Sequence, residues 1–286
     1  MSASFLEQEL EVEGVSLRVL SEGEGAPVLI LHGFTGSAES MVCVSDLLRE
    51  KFRVHRVDLL GHGGSESPDR LEAFGMSQCV AQLRALLDAL AIPRALLIGY
   101  SMGGRAALSL AVAHPERVSR AVLVGATPGL EKASERAARR TSDEELAEHI
   151  LSGGLECFVD EWMANPLFAS QARLGEAALA RARAERLRGS AYGLAQSLRG
   201  MGTGAMRPLH DDLPHLSQPV LCVVGEEDKK FSAIAEAMVA ALPLGCLKAI
   251  PHAGHAAHLE QPEAFAKCVL DFALRPSVDS IAQGEA

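Results

Sequence analysis

Gly99-Tyr100-Ser101-Met102-Gly103-Gly104 carries the clearest structural signal in this chain of 286 residues. It follows a short apolar run, Ala95–Ile98, and precedes a helical pattern that begins at Met102. Glycines around a serine let a strand turn sharply into a helix, where side chains would collide with neighbouring backbone. The turn lifts the hydroxyl clear of the sheet and places it at a helix N-terminus, which favours negative charge. The motif predicts a nucleophile, Ser101, although by itself it is equally typical of a glycine-rich turn.

Short apolar runs recur along the chain, and helical patterns separate most of them. Runs of this length are typical of buried parallel strands. Two earlier stretches, Glu9–Val12 and Val15–Leu20, look like antiparallel edge strands. The predicted buried strands are Val28–Leu31, Val54–Val57, Ala95–Gly99, Ala121–Val124, Val220–Val224 and Leu247–Ile250. The predicted helices are Ala38–Lys51, Ser77–Leu90, Met102–His114, Ala233–Leu242 and Pro262–Leu274. The alternation predicts an α/β fold with a mostly parallel sheet flanked by helices.

The alternation is interrupted once, at residues 127–217, which we call the helical insert. Ser142–Leu151 begins with a serine cap and acidic residues, and Arg173–Arg188 is rich in helix formers. An insert between two strands of a parallel sheet predicts a lid over the strand ends, where ligands bind in such folds. The predicted organisation is a core of residues 1–126 and 218–275, the lid at 127–217, and a disordered tail at 276–286.

A serine nucleophile needs a base, and the base needs an orienting carboxylate. Asp228 follows the strand Val220–Val224, and His255 follows the strand Leu247–Ile250. Because parallel strands end at the same edge of the sheet, both side chains are expected beside Ser101. The chain order Ser, acid, His is the one found with this type of serine turn. The sequence therefore predicts the triad Ser101–Asp228–His255.

Other acids and histidines near these positions are weaker candidates. Glu226 and Glu227 are alternatives for the acid, but Asp228 lies farthest along its loop. We expect His258 on the next helical turn, and His32 is typical of a packed loop residue. His252 is three residues before His255 and is less favourably placed. Asp58, which precedes the turn Gly61-His62-Gly63-Gly64-Ser65, is expected to bond loop amides.

The loop after the first buried strand reads His32-Gly33-Phe34-Thr35-Gly36. Such a loop can supply a backbone N–H beside the serine. The N–H groups of Phe34 and Met102 are therefore predicted to form an oxyanion hole.

Composition limits the classes of partner. The chain has 27 Lys+Arg and 37 Asp+Glu, a net charge of −10. An acidic balance argues against nucleic-acid binding but allows a locally positive pocket for an anion. Six widely spaced cysteines favour a reduced, cytoplasmic protein. We expect no signal peptide, no membrane insertion and no metal or cofactor, and the oligomeric state is not indicated.

These motifs resemble the α/β-hydrolase fold, and one family within it closely. Over roughly residues 28–272 the chain is similar to the 2-succinyl-6-hydroxy-2,4-cyclohexadiene-1-carboxylate (SHCHC) synthases of menaquinone biosynthesis. The more specific segments are Gly99–Arg105, 166–171 (PLFASQ) and 198–204 (LRGMGTG). There are departures: Met41 stands where the family is expected to have tryptophan, and residues 206–210 continue differently.

The resemblance implies a lyase rather than a hydrolase. The substrate would be 2-succinyl-5-enolpyruvyl-6-hydroxy-3-cyclohexene-1-carboxylate. A base would remove a ring proton, the charge would collect on the succinyl carbonyl, and pyruvate would leave without an acyl-enzyme. Such a polycarboxylate needs cationic partners, and Arg binds carboxylates bidentately. By resemblance, the residues that would bind it are Arg105, Arg139, Arg188, Tyr100, Trp162 and Phe168.

Several simpler interpretations stay open. Arg105, one helical turn after Ser101, could form a structural ion pair, and the sole Trp could be part of the core of the insert. Other arginines of the insert, such as Arg181, Arg183 and Arg186, are typical of solvated helix faces. A serine hydrolase acting on esters or carbon–carbon bonds would share the triad. A binding module without catalysis is also compatible with the fold, because fold does not determine function.

Overall fold

A single eight-stranded sheet organises the chain, of which the computed structural model describes residues 5–275. The strands are β1 Leu6–Val12, β2 Val15–Glu22, β3 Ala26–Leu31, β4 Phe52–Val57, β5 Ala95–Tyr100, β6 Val118–Val124, β7 Val220–Gly225 and β8 Gly245–Ile250. Their spatial order is β1-β2-β4-β3-β5-β6-β7-β8. The pairs β1–β2 and β2–β4 are antiparallel, and the other neighbouring pairs are parallel. The predicted fold class and the two antiparallel strands at one edge are confirmed.

Helices cover both faces of this sheet. They are α1 Val42–Leu48, α2 Met76–Ala89, α3 Met102–Ala113, α4 Ala133–Gly153, α5 Leu155–Met163, α6 Glu176–Arg186, α7 Ala191–Met201, α8 Lys229–Ala241, α9 Ala257–Glu260 and α10 Pro262–Ala273. One apolar cluster joins the sheet to α2, α3 and α8, and a second joins its other face to α1 and α10. Every residue of β7 is buried, since helices exclude water from both of its faces.

The segment between β6 and β7 is helical in the described structure and contains α4 to α7. The 3₁₀ turn Pro166–Leu174 links α5 to α6, and a second 3₁₀ turn, His210–His215, precedes β7. α4, α5 and α7 share a small apolar core of their own, which includes Ile150, Phe158 and Leu198. The insert therefore has an apolar cluster of its own, and its residues Met201 and Met206 also join the first cluster of the sheet.

Two predicted helix boundaries within the insert are wrong. Ser142 does not cap a helix; it lies inside α4, which begins at Ala133 because the Ala- and Arg-rich residues before Ser142 already favour helix. The predicted helix Arg173–Arg188 is two elements, since Gly175 has φ +79° and separates the 3₁₀ turn from α6. The predicted disordered tail, 276–286, lies outside the described residues.

The carboxyl ends of β3, β5, β7 and β8 meet at one edge of the sheet. The loops that leave them carry Phe34, Ser101, Asp228 and His255. Such edges bind ligands in open α/β sheets because the loops diverge there and leave a crevice. No helix in the described part of the chain is long and apolar enough to cross a membrane.

Candidate active site

Ser101 occupies a strained turn between β5 and α3. Its backbone has φ 50° and ψ −104°, a region that residues with a side chain rarely adopt. Two glycines make the turn possible: a Cβ on Gly99 would lie 2.3 Å from the Gly103 oxygen, and a Cβ on Gly103 would lie 2.3 Å from the Leu31 oxygen. The hydroxyl is therefore presented at the sheet edge by backbone packing.

A hydrogen-bonded chain links the three predicted triad residues. His255 Nε2 is 3.2 Å from Ser101 Oγ, and His255 Nδ1 is 2.7 Å from Asp228 Oδ2. Asp228 also caps α8, where its Oδ1 accepts the Phe231 N–H at 3.2 Å. Both His255 and Asp228 are buried. The cap fixes the carboxylate, the carboxylate orients the imidazole, and the imidazole faces the hydroxyl, as general-base activation requires.

The two predicted oxyanion donors flank this chain. Met102 is the first residue of α3, so its N–H has no partner within the helix. Phe34 follows β3, and both residues line the same cavity as Ser101. Among residues 5–275, no side chain and no backbone carbonyl of a turn or loop accepts a hydrogen bond from either N–H. Both are thus free to bind a developing oxyanion.

Ser101 and His255 open into a cavity of about 370 Å³ between the sheet edge and the insert. Arg105, Arg139 and Lys230 contribute its cationic lining, and no Asp or Glu is among the described residues that line it. This charge is opposite in sign to that of the whole chain, which is −10. A cavity with fixed cations concentrates anionic ligands.

Arg105 is buried on α3 and has no carboxylate at ion-pair distance among the residues of the described structure. Its Nη1 donates to the Met201 carbonyl oxygen and lies 3.6 Å from Met206 Sδ. Burial and the neighbouring Arg139 lower the pKa of Arg105 to about 10, so it remains charged at neutral pH. The structural ion pair considered as an alternative is therefore not observed for Arg105. Burying a cation without a carboxylate partner costs free energy unless an anionic ligand pairs with it.

Arg139 pairs with a carboxylate that the sequence analysis missed. Its Nε donates to Asp143 Oδ1 at 2.8 Å, and burial raises the pKa of Asp143 while Arg139 opposes this shift. The spacing of four residues on one helix was the signal that could have identified the pair. Lys230 was also missed; its position two residues after Asp228 places it at the same sheet edge.

Aromatic rings form another wall of the cavity. Tyr100, Trp162 and Phe168 all line it, as does Phe34. The Trp162 ring centroid lies 5.3 Å from that of Phe34 and 5.7 Å from that of Phe168. Trp162 Nε1 is buried and has no acceptor within residues 5–275, so it can donate to a ligand. These rings would exclude water from the face of a bound molecule.

Arg188 is the one predicted binding residue that the structure does not bring to the cavity. It lies beyond the end of α6 with a side chain 67% exposed, and its Nη1 is 3.7 Å from Glu185 Oε2. Arg186, expected on a solvated face, is instead partly buried. It donates to Thr35 Oγ1 at 3.2 Å and lowers the pKa of Tyr100, which burial raises. Arg186 and Arg188 are two residues apart at the end of α6, so they lie on different sides of the chain. This explains why Arg186 is partly buried and Arg188 is exposed.

The other histidines do not compete for the role of base. His32 and His258 are buried, and burial lowers their pKa values to about 4 and about 3. His32 Nε2 accepts the Leu59 N–H at 3.0 Å, while the His258 ring packs 4.4 Å from that of Tyr100. His252 has φ 56° and lies outside the cavity lining.

Asp58 bonds loop amides, as its position suggested. It accepts the Ala38 N–H at 2.6 Å and the Gly64 N–H at 2.8 Å. Its second oxygen also pairs with Arg18 Nη1 at 2.9 Å. The residue is fully buried and lies outside the cavity lining.

One group of side chains in the described structure has metal-ligand chemistry: His149, Cys157 and Glu161. Their ligand atoms lie within 4.8 Å of one another on α4 and α5. None of the three lines the cavity that contains Ser101, so this group lies apart from the candidate site.

Comparison with known proteins places this architecture in a family. The model of the α/β hydrolase fold matches residues 26–262. A Bacillus subtilis protein with a provisional assignment as SHCHC synthase is 43% identical over 91% of this chain and 95% of its own length. The Klebsiella pneumoniae SHCHC synthase is 35% identical over 86% of this chain and 93% of its own length. The solved structure of MenH from S. aureus has a TM-score of 0.84 and 30% identity, covering 95% of this chain and 98% of the other.

Matches of this identity and length reach well beyond the shared motifs of the fold and include the whole insert. The chain therefore belongs to the α/β-hydrolase fold and, within it, to the family of the SHCHC synthases.

Proposed function

We propose that this protein is a carbon–oxygen lyase that eliminates pyruvate from 2-succinyl-5-enolpyruvyl-6-hydroxy-3-cyclohexene-1-carboxylate and yields SHCHC, a step of menaquinone biosynthesis. One observation carries the proposal: a Ser–His–Asp hydrogen-bond chain opens into a cavity with three cationic side chains and no acidic one in its described lining. A neutral ester needs no such charge, whereas a polycarboxylate does. The names of the relatives agree with this activity.

In the proposed mechanism the triad transfers a proton. His255 Nε2 accepts the proton of the Ser101 hydroxyl as Ser101 Oγ removes a proton from the substrate ring. The electron pair moves towards the succinyl carbonyl, whose oxygen accepts hydrogen bonds from the backbone N–H groups of Phe34 and Met102. The carbon–oxygen bond to the enolpyruvyl group then breaks. The leaving enolpyruvate takes the proton held by the His255 imidazolium and becomes pyruvate, which returns the triad to its starting state, and no bond to the enzyme forms.

Arg105 and Arg139 act in this proposal as carboxylate partners. Arg105 is held by the Met201 carbonyl, so its remaining donors are fixed before substrate arrives. Arg139 is shared with Asp143 and is 42% exposed, so it can turn towards the ligand. Tyr100, Trp162 and Phe168 enclose the ring. Arg188 is left out of the proposed site because of its exposed position.

We further propose that the helical insert, residues 127–217, is a lid distinct from the core formed by 1–126 and 218–275. Its own apolar cluster and its contribution of Arg139, Trp162 and Phe168 to the cavity support this division. A cytoplasmic location belongs to the same proposal, and the six free cysteines of the chain agree with a reducing compartment.

The test supplies the enolpyruvyl substrate and couples pyruvate release to lactate dehydrogenase. We expect turnover at micromolar substrate by the wild type, and only the uncatalysed background with Ser101→Ala. A parallel assay with p-nitrophenyl esters should show no burst of acyl-enzyme. Absence of pyruvate, together with ester hydrolysis through a burst, would instead establish the serine hydrolase.

A further inference from the structure

One buried carboxylate accepts hydrogen bonds from the loop that carries His255. Glu260 lies at the end of α9, and its side chain is 3% exposed. Its Oε2 accepts the Gly254 N–H at 2.9 Å, and its Oε1 accepts the Ala256 N–H at 3.3 Å. These two amides belong to the residues immediately before and after His255. Each carboxylate oxygen therefore fixes the backbone on one side of the histidine.

Glu260 is not among the residues that line the cavity of Ser101, and its side chain makes its hydrogen bonds to Gly254, Ala256 and Arg173 rather than to the triad side chains. Its effect on His255 must therefore act through the backbone. The imidazole has two hydrogen bonds to satisfy at once, to Asp228 and to Ser101. A small rotation of the loop would lengthen at least one of them, and geometry at a reacting centre strongly affects rate.

The same carboxylate is linked to the insert through Arg173. Arg173 Nη2 is 3.5 Å from Glu260 Oε2 and 3.1 Å from the His252 oxygen. It also reaches Glu227 Oε2 at 3.0 Å, beside the catalytic acid Asp228. The Glu227 side chain is 43% exposed and accepts no hydrogen bond from the loop of His255, although the Glu227 backbone N–H donates to the Ala253 oxygen at 2.9 Å. Glu227 and Glu260 are thus both carboxylate partners of Arg173, but only the Glu260 side chain accepts hydrogen bonds from the amides of that loop.

We propose that Glu260 is a positioning residue for His255: by accepting the amides on both sides of the histidine, it keeps Nε2 within reach of Ser101. The proposal rests on the proposed function, in which His255 is the base. It assigns Arg173 a secondary part, since Arg173 neutralises Glu260 but does not touch the loop amides.

The test compares Glu260→Gln with Glu227→Gln and Arg173→Gln. A glutamine at 260 keeps the size of the side chain but has one acceptor oxygen, so one loop amide faces an NH₂ group. We expect a kcat for pyruvate release that is about 10- to 100-fold lower, with KM within about threefold of wild type. The other two variants should keep kcat within about threefold, because both loop amides retain their acceptor.

A second readout needs no substrate. The proton shared by His255 Nδ1 and Asp228 gives a far-downfield NMR signal in the free protein when the imidazole is protonated. Glu260→Gln should shift or broaden this signal, and Glu227→Gln should leave it in place. If Glu260→Gln does not fold, Glu260→Asp is used; it keeps the charge but is too short to meet both amides, and the same losses are expected.

Equal effects of Glu260→Gln and Glu227→Gln on kcat and on the signal would overturn the proposal and assign the effect to Arg173. An unchanged kcat and an unchanged signal in Glu260→Gln would overturn it as well. If the wild type released no pyruvate, the proposed function would fail, but the NMR comparison would still decide the role of Glu260.

Discussion

Replacing Arg105 by alanine tests whether its unpaired charge serves a ligand. In the structure its guanidinium donates to the Met201 carbonyl and meets no carboxylate among residues 5–275. A charge-assisted hydrogen bond to a ligand carboxylate contributes about 1.5–3 kcal/mol. At about 1.4 kcal/mol per factor of ten, its loss should lower kcat/KM about 10- to 150-fold. The folded state loses one bond to a carbonyl, which costs about 1 kcal/mol of unfolding free energy.

The assay is pyruvate release coupled to lactate dehydrogenase, measured over a range of substrate concentrations. Arg105→Lys keeps the charge but loses the bidentate geometry, so an intermediate loss is expected. Arg188→Ala is the matched control, because that arginine is 67% exposed and lies outside the cavity lining. Its kcat/KM should stay within about twofold of wild type. If Arg105→Ala stayed within threefold, or Arg188→Ala fell as far, the carboxylate role of Arg105 would be refuted.

Three further changes test the scaffold by urea unfolding. Gly103→Ala should lower the free energy of unfolding by about 1–3 kcal/mol or more and abolish activity, because its Cβ would meet the Leu31 oxygen. Gly75→Ala is the control, since its Cβ would have no contact under 3.6 Å. Equal stability of the two variants would contradict this prediction. Asp58→Ala should cost about 2–4 kcal/mol, because it leaves the Ala38 and Gly64 amides without an acceptor while Arg18 keeps Glu7 and Glu39, and a loss below about 1 kcal/mol would contradict it. Burial lowers the pKa of His258 to about 3, against about 6.5 unfolded, so protons bind the unfolded state more strongly. Stability should therefore fall as pH drops below about 6.5, by up to about 1.4 kcal/mol per pH unit from this residue, and His258→Phe should reduce the slope.

The convergence of the three proposed triad residues was predictable because local rules determine where each one lies. Ser101 is marked by glycines that the turn requires, and Asp228 and His255 follow apolar runs whose carboxyl ends must share a sheet edge. Each residue could thus be placed without knowledge of side-chain packing. The two antiparallel strands at one edge were predictable from similar local patterns, whereas the sequence analysis made no prediction of the strand order.

The arginines were less predictable because their placement depends on helix phase and on packing over long sequence distances. Arg186 and Arg188 are two residues apart, yet one is partly buried beside Thr35 and the other is largely exposed. α4 begins at Ala133, so Arg139 lies within this helix rather than before a helix that begins at Ser142. Contacts such as Arg105 with Met201, 96 residues apart, cannot be inferred from spacing along one helix.

The hydrogen bond between Ser101 and His255 joins residues separated by 154 positions. Contacts of such separation form late, because the chain must first close the loops that divide them. During synthesis, Ser101 leaves the ribosome long before His255, and the insert is made between the two. In refolding experiments, the helical circular dichroism signal should therefore return before turnover. Recovered activity measures the completed docking of β7 and β8 rather than the formation of the turn around Ser101.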